Sequence, residues 1–155
     1  MKRNPERLER ILRIRRLQEE TARGVWLQAE LAAREADERV VHCHDNIAMG
    51  HDHVREQQAA GSIDGVLQSD AAMHHLHNAL AQTRIQASAR HRDVETTKAP
   101  WLETRKAARG MQKLVERAKA DQHTERQKKE DQALEASIES LLLRQKDRKH
   151  STPST

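Results

Sequence analysis

Apolar residues return at every seventh position along most of this chain, and that repeat restricts the fold more than any other feature. In the first half one row is Leu12, Glu19, Trp26, Ala33, Val40, Ile47, Val54, and a second is Leu8, Arg15, Ala22, Ala29, Ala36, Cys43, Gly50. The rows alternate in steps of three and four, which puts both on one narrow stripe of a helix, the seam of a coiled coil. The second half repeats the device with Met73, Leu80, Ala87, Val94, Trp101, Ala108, Val115 and with Leu76, Thr83, Arg90, Thr97, Thr104, Met111, Ala118. Composition points the same way. Among 155 residues there is no Phe and no Tyr, only two Trp, and 34% charged side chains. A compact core of this size normally draws much of its buried area from aromatic rings. The expected fold class is therefore all-α, a long two-helix antiparallel coiled coil (an α-helical hairpin) spanning residues 1–155 as a single unit, with the second helix the longer.

The boundaries come from caps and breakers. Asn4 suits a helix cap, Pro5 the first helical position, and Glu6 the positive end of the dipole. Helix one is expected over about 5–57. Two glycines in Ala59-Ala60-Gly61-Ser62-Ile63-Asp64-Gly65 mark a reversal, expected over about 58–69, with Ser69 or Asp70 capping the next helix. Helix two is expected over about 70–148, and 149–155 as a disordered tail. Pro100 lies inside helix two, where it removes a backbone donor and crowds the preceding turn. A kink or short break is expected near Thr96 to Ala99, either as a tolerated distortion or as a hinge.

In an antiparallel pair, opposed positions have a constant sum of residue numbers. Val54 with Met73, Ile47 with Leu80, Val40 with Ala87 and Trp26 with Trp101 each sum to 127, while Cys43 with Thr83, Ala22 with Thr104 and Leu8 with Ala118 each sum to 126. The seam residues expected from this register are Leu8, Leu12, Trp26, Val40, Ile47, Val54, Met73, Leu76, Leu80, Val94, Trp101, Met111 and Val115. The register also sets a limit. A first helix beginning near residue 5 covers the second only to about residue 121, and helix two runs about 40 Å further at 1.5 Å per residue. There the rows turn polar, at Gln122, Lys129, Glu125 and Gln132. A new apolar group at Leu134, Ile138, Leu141 and Leu142 forms one helical face with no partner in the chain. It is either a face on which copies of the chain self-associate or one that docks on another protein, helix in groove.

Charge and chemistry narrow the function classes. Lys and Arg number 28 against 24 Asp and Glu. Both termini are basic, Arg7, Arg10 and Arg13 among the first residues, and these three join the leucine face as expected partner contacts. A basic rod that binds nucleic acid is an alternative, but no aromatic residues are interleaved for stacking and no reading motif is present, so no specific nucleic acid is expected. Ten histidines include His42-x-His44, His51-x-His53 and His74-His75-x-His77, but positions two apart point to different sides of a helix, and of the steps of three or four that helical zinc ligands need only His74 and His77 supply one, with no second pair clearly opposite them. No metal and no cofactor is expected. Cys43 sits on a seam row as a small apolar group, and a single cysteine fits a reducing compartment. There is no phosphate loop, carboxylate pair or nucleophile elbow, so the chain is expected not to be an enzyme. The opening Met-Lys-Arg is not followed by an apolar run, no stretch approaches a membrane span, and a cytoplasmic protein is expected.

The opening Arg7-Leu8-Glu9-Arg10-Ile11-Leu12-Arg13-Ile14-Arg15-Arg16-Leu17-Gln18-Glu19-Glu20, the Gly61 linker, Arg105-Lys106-Ala107-Ala108, Lys113-Leu114-Val115-Glu116-Arg117, Glu125-Arg126-Gln127-Lys128-Lys129-Glu130 and Leu134-Glu135-Ala136 together resemble the FliJ family of flagellar export proteins. Where the family ends the last run with an Asp-Glu pair, this sequence has Glu135-Ala136. The resemblance implies a long antiparallel coiled coil, similar in design to the central stalk of rotary ATP synthases. It implies a component of the bacterial type III export apparatus whose terminal end enters the hexameric export ATPase and promotes its assembly and activity. It further implies contact with the export-gate membrane protein, hence a peripheral place at the inner membrane, and escort of substrate chaperones. The YscO-type stalk proteins of injectisomes share this architecture and are the alternative.

Overall fold

Asn4 opens the first helix as its sequence suggests. Its Oδ1 accepts the backbone N–H of Glu6 at 3.0 Å, and its carbonyl accepts that of Leu8 at 3.2 Å. The computed structural model describes residues 4–150, which form two helices, α1 at Pro5–Ala59 and α2 at Ile63–His150. They pack antiparallel as a helical hairpin, and no strand occurs among the described residues.

The reversal is tighter than the sequence suggests. Gly61 holds φ at +70°, a left-handed conformation that costs a glycine little. Its N–H bonds to the carbonyl of Gln58 at 3.1 Å and that of Ser62 to Gln57 at 3.3 Å, a Schellman closure of the helix end. Ser62 then caps α2 at once, its Oγ accepting the N–H of Gly65 at 3.1 Å. The second helix thus begins at Ile63 rather than near residue 70, because Ser62 is already in position as a cap. Ser69, a cap candidate from sequence, is instead buried and extends the row of Leu76 by one heptad. At the other end α2 reaches His150, beyond the expected end at 148. The remainder of the expected tail, 151–155, lies outside the described residues.

Residues Arg15–Ala107 form one compact unit. Its core joins Ile47, Met73 and Leu80, with Val40, Cys43, Val54 and Leu76 packed around them. Gly50 makes room for this cluster, since a Cβ there would stand 2.5 Å from the Met73 sulfur and 3.1 Å from Leu76 Cδ1. Farther along, Trp26 and Trp101 stack with ring centroids 4.5 Å apart and planes within 5°. The Arg105 guanidinium sits 5.4 Å from the Trp101 ring, within cation–π range. Both indole N–H groups are buried without a protein acceptor. Exposed pairs bridge the helices on one flank: Asp37 with His91 at 2.9 Å, His44 with Arg84 at 3.1 Å, and the rings of His51 and His77 edge to face at 6.2 Å.

No break occurs at Pro100. The helix is continuous across Thr96 to Ala99. Proline there orphans only the carbonyl of Thr96, and Thr96 itself is exposed, as is Pro100, where water satisfies a carbonyl at small cost. The Thr96 and Thr97 hydroxyls meanwhile bond back to the Asp93 carbonyl at 3.0 and 2.7 Å.

Residues 4–14 and 108–150 belong to the second unit. There Leu12, Ala108, Val115 and Ala118 are buried, and Leu8, Met111 and Leu114 are half-buried. Lys119 closes this seam with an ion pair to Glu9.

Candidate functional site: the uncovered end of α2

From Lys119 to His150 every residue of α2 is exposed. No glycine or proline interrupts 121–150, and the sequence there is rich in Glu, Gln, Lys, Arg, Ala and Leu, which keeps the segment helical by propensity. Bonds one turn back, such as Ser137 Oγ to the Ala133 carbonyl at 2.9 Å, add local support. What the segment lacks is cover. Leu134, Ile138, Leu141 and Leu142 are 61%, 55%, 61% and 57% exposed. At about 100° per residue they fall on one side of the helix. Leu143, 63% exposed, was not singled out from sequence; it points to the other side, and its apolar run with Leu141 and Leu142 is the signal that marks it.

The three arginines expected to act with this face lie elsewhere. Arg7, Arg10 and Arg13 are exposed on the first turns of α1, level with the Glu9–Lys119 pair. Leu134 stands fifteen residues beyond Lys119, about 22 Å along the helix. The basic group and the leucine face are therefore separate places in this unit. The Glu9 carboxyl is held below the usual carboxylate range, first by the hydrogen bond from Lys119, then by the charge of Lys119, with Arg13 adding to the effect against a small opposing cost of burial.

The two units differ in charge. Residues 4–14 and 108–150 carry fourteen Lys and Arg against ten Asp and Glu, while 15–107 carry twelve against fourteen. The seam residues Trp26, Val40, Ile47, Val54, Met73, Leu76, Leu80, Val94 and Trp101 lie in the latter unit, and Leu8, Leu12, Met111 and Val115 in the former. All thirteen are buried or half-buried. Eight histidines lie on α1 and α2 within 15–107, yet no three His, Cys, Asp or Glu side chains among the described residues are grouped to hold a metal. No described helix is long and apolar enough to cross a membrane.

The fold is thus a two-helix hairpin whose second helix is the longer and runs on uncovered. The chain matches the family described as Flagellar FliJ protein over residues 4–145. It belongs to that family, and it is a component of the flagellar export apparatus; the members of the family are non-enzymatic. No curated protein and no solved structure matches it.

Proposed function

We propose that this chain is the non-catalytic cytoplasmic stalk of the flagellar export machinery. The uncovered end of α2 enters the hexameric export ATPase and promotes its assembly and activity. The same protein contacts the export-gate membrane protein, which places it at the inner membrane when engaged, and it escorts substrate chaperones. One observation carries this reading: four large apolar side chains, each more than half exposed, on one face of the helix end that α1 leaves bare. Exposed rows of this kind are how an amphipathic helix engages a groove, and leaving them in water is unfavourable by roughly 25 cal/mol per Å² of apolar area. The basic surplus of the terminal unit suits an acidic lining in the partner.

The test is hexamer formation by a cognate export ATPase in the presence of the purified chain. Addition of the wild-type chain raises the hexamer fraction and the hydrolysis rate. Ile138→Asp abolishes both while circular dichroism shows unchanged helicity, since Ile138 contributes nothing to the hairpin seam. An Ile138→Asp variant that stimulates the ATPase as well as wild type would rule the face out as the docking element.

A further inference from the structure

Within residues 15–107, one flank of the hairpin sets α1 against α2 in rungs a heptad apart, at positions whose numbers sum to 128. Asp37 accepts the Nε2–H of His91 at 2.9 Å, and His44 Nε2 accepts from Arg84 at 3.1 Å. His51 and His77 form the next rung. In the first two a donor meets an acceptor. In the third two identical bases face each other, and their rings meet edge to face with centroids 6.2 Å apart. Arg23 and Arg105 are also like side chains at one rung, but there the Arg105 guanidinium lies over the Trp101 ring. The His51 and His77 rings do not turn apart. What would complement both at once is a cation that accepts a lone pair from each.

We propose that His51 and His77 are joint ligands of a divalent transition-metal ion, zinc by preference, which ties α1 to α2 near the turned end of the hairpin. Imidazole suits such ions, and magnesium does not favour it. Zn–N bonds of about 2.0–2.1 Å place two rings that share one ion with centroids about 5–6 Å apart. The pair reaches that spacing by small side-chain rotations, without movement of either helix. Both histidines are exposed, and Ala48 and Ala81, one turn away on the same flank, are exposed too and carry only methyl groups. Water can therefore fill the remaining coordination positions. The neighbouring side chains have other partners: Arg55 lies 3.5 Å from Asp52, His74 lies 3.6 Å from Asp70, and Arg84 reaches His44. No third His, Cys, Asp or Glu among the described residues joins the pair. The site is thus an open one that exchanges its ion, unlike the closed four-ligand sites of structural zinc. Its ligands lie twenty-six positions apart in sequence and meet only in the folded hairpin, so the ion stabilises the fold as it binds.

This site does not depend on the stalk reading, and its test needs no ATPase. With the untagged full-length chain, saturating zinc chloride is expected to raise the melting temperature by about 5 °C, reversibly with EDTA, while magnesium chloride leaves it unchanged. Calorimetric titration is expected to give one zinc ion per chain. His51→Ala and His77→Ala each weaken binding by at least about tenfold and remove the thermal shift. His53→Ala, His74→Ala and Cys43→Ser retain the wild-type affinity to within about threefold, since those side chains stand outside the pair. Circular dichroism in EDTA checks that each variant folds. A readout independent of any variant is the proton spectrum of the wild-type chain with a trace of nickel, in which the ring signals of His51 and His77 broaden first. Absence of a thermal shift, an equal shift with magnesium, binding that survives either alanine variant of the pair, binding lost in one of the three controls, or nickel broadening centred on other histidines would each overturn the inference. None of these results bears on ATPase stimulation, which is measured separately with Ile138→Asp.

Discussion

The two stretches of α2 use the same residue types to opposite effect. Around Met73 and Leu80, apolar side chains at heptad spacing are covered by α1 and fall to 7% exposure; around Leu134 and Leu141, leucines of the same helix stand 61% exposed. Propensity does not separate them, since both stretches are helical. What separates them is the length of α1, which starts at Pro5 and has nothing left to lay over the helix beyond Ala118. In the covered stretch a leucine contributes to stability. In the bare stretch it contributes only once a second surface arrives.

The sharpest way to break that contrast is to place the same charge in both stretches. Leu80→Asp buries a carboxylate in the cluster of Ile47 and Met73, and is expected to cost more than about 3 kcal/mol and to lower the melting temperature by many degrees. Leu141→Asp is expected to change the melting temperature of the dilute chain by less than the equivalent of about 0.5 kcal/mol. Equal losses in the two thermal melts would mean that the bare end is packed after all.

Glycines sharpen the comparison at a smaller scale. Nothing lies within 4 Å of a Cβ added at Gly110, whereas one at Gly50 meets the Met73 sulfur at 2.5 Å. Gly110→Ala is expected to stabilise the hairpin by up to about 1 kcal/mol through helix propensity. At Gly50 the same gain is offset by displacement of Met73, and overpacking of this kind costs about 1–3 kcal/mol. Urea titrations of the two variants should therefore move in opposite directions, or Gly50→Ala should at least fall well short of Gly110→Ala.

The smallest effect belongs to the ion pair that ends the seam. The lowered Glu9 carboxyl makes its contribution at neutral pH and loses it as pH falls through the lowered value, because the unfolded chain takes up the proton first. Glu9→Gln is expected to lower the melting temperature slightly at pH 7, with the two profiles converging in acid. A difference that persisted at the acid end would show that the Glu9 side chain acts through packing, not charge.

Much of the fold was legible because heptad burial is a repeated, local signal. Each step of seven restates the same stripe, so a Gly50 or an Arg90 within a row does not erase it. The hairpin followed from two such stripes separated by the glycines near residue 61, and the end of cover followed from where the first stripe starts. The reversal was less legible, since Ser62, Ser69 and Asp70 are all acceptable caps by type. Which of them acts is decided by the closure at Gly61, where a left-handed φ and two backbone bonds end α1 and leave Ser62 in place. Whether Pro100 breaks the helix was less legible for a related reason. Its cost depends on whether the carbonyl it orphans is wet, and a sequence does not state exposure.

By itself, then, the sequence determined two amphipathic helices, their antiparallel order and a terminal segment whose apolar residues leave the phase of the seam. These depend on period and on chain length, both of which are written in one dimension. Only the tertiary structure decided where the turn closes, that α2 passes Pro100 unbroken, and that Asp37 meets His91 and Glu9 meets Lys119 across the seam. Those contacts join residues 54 and 110 positions apart, and flanking polar side chains repeat too irregularly for any one-dimensional pattern to pair them.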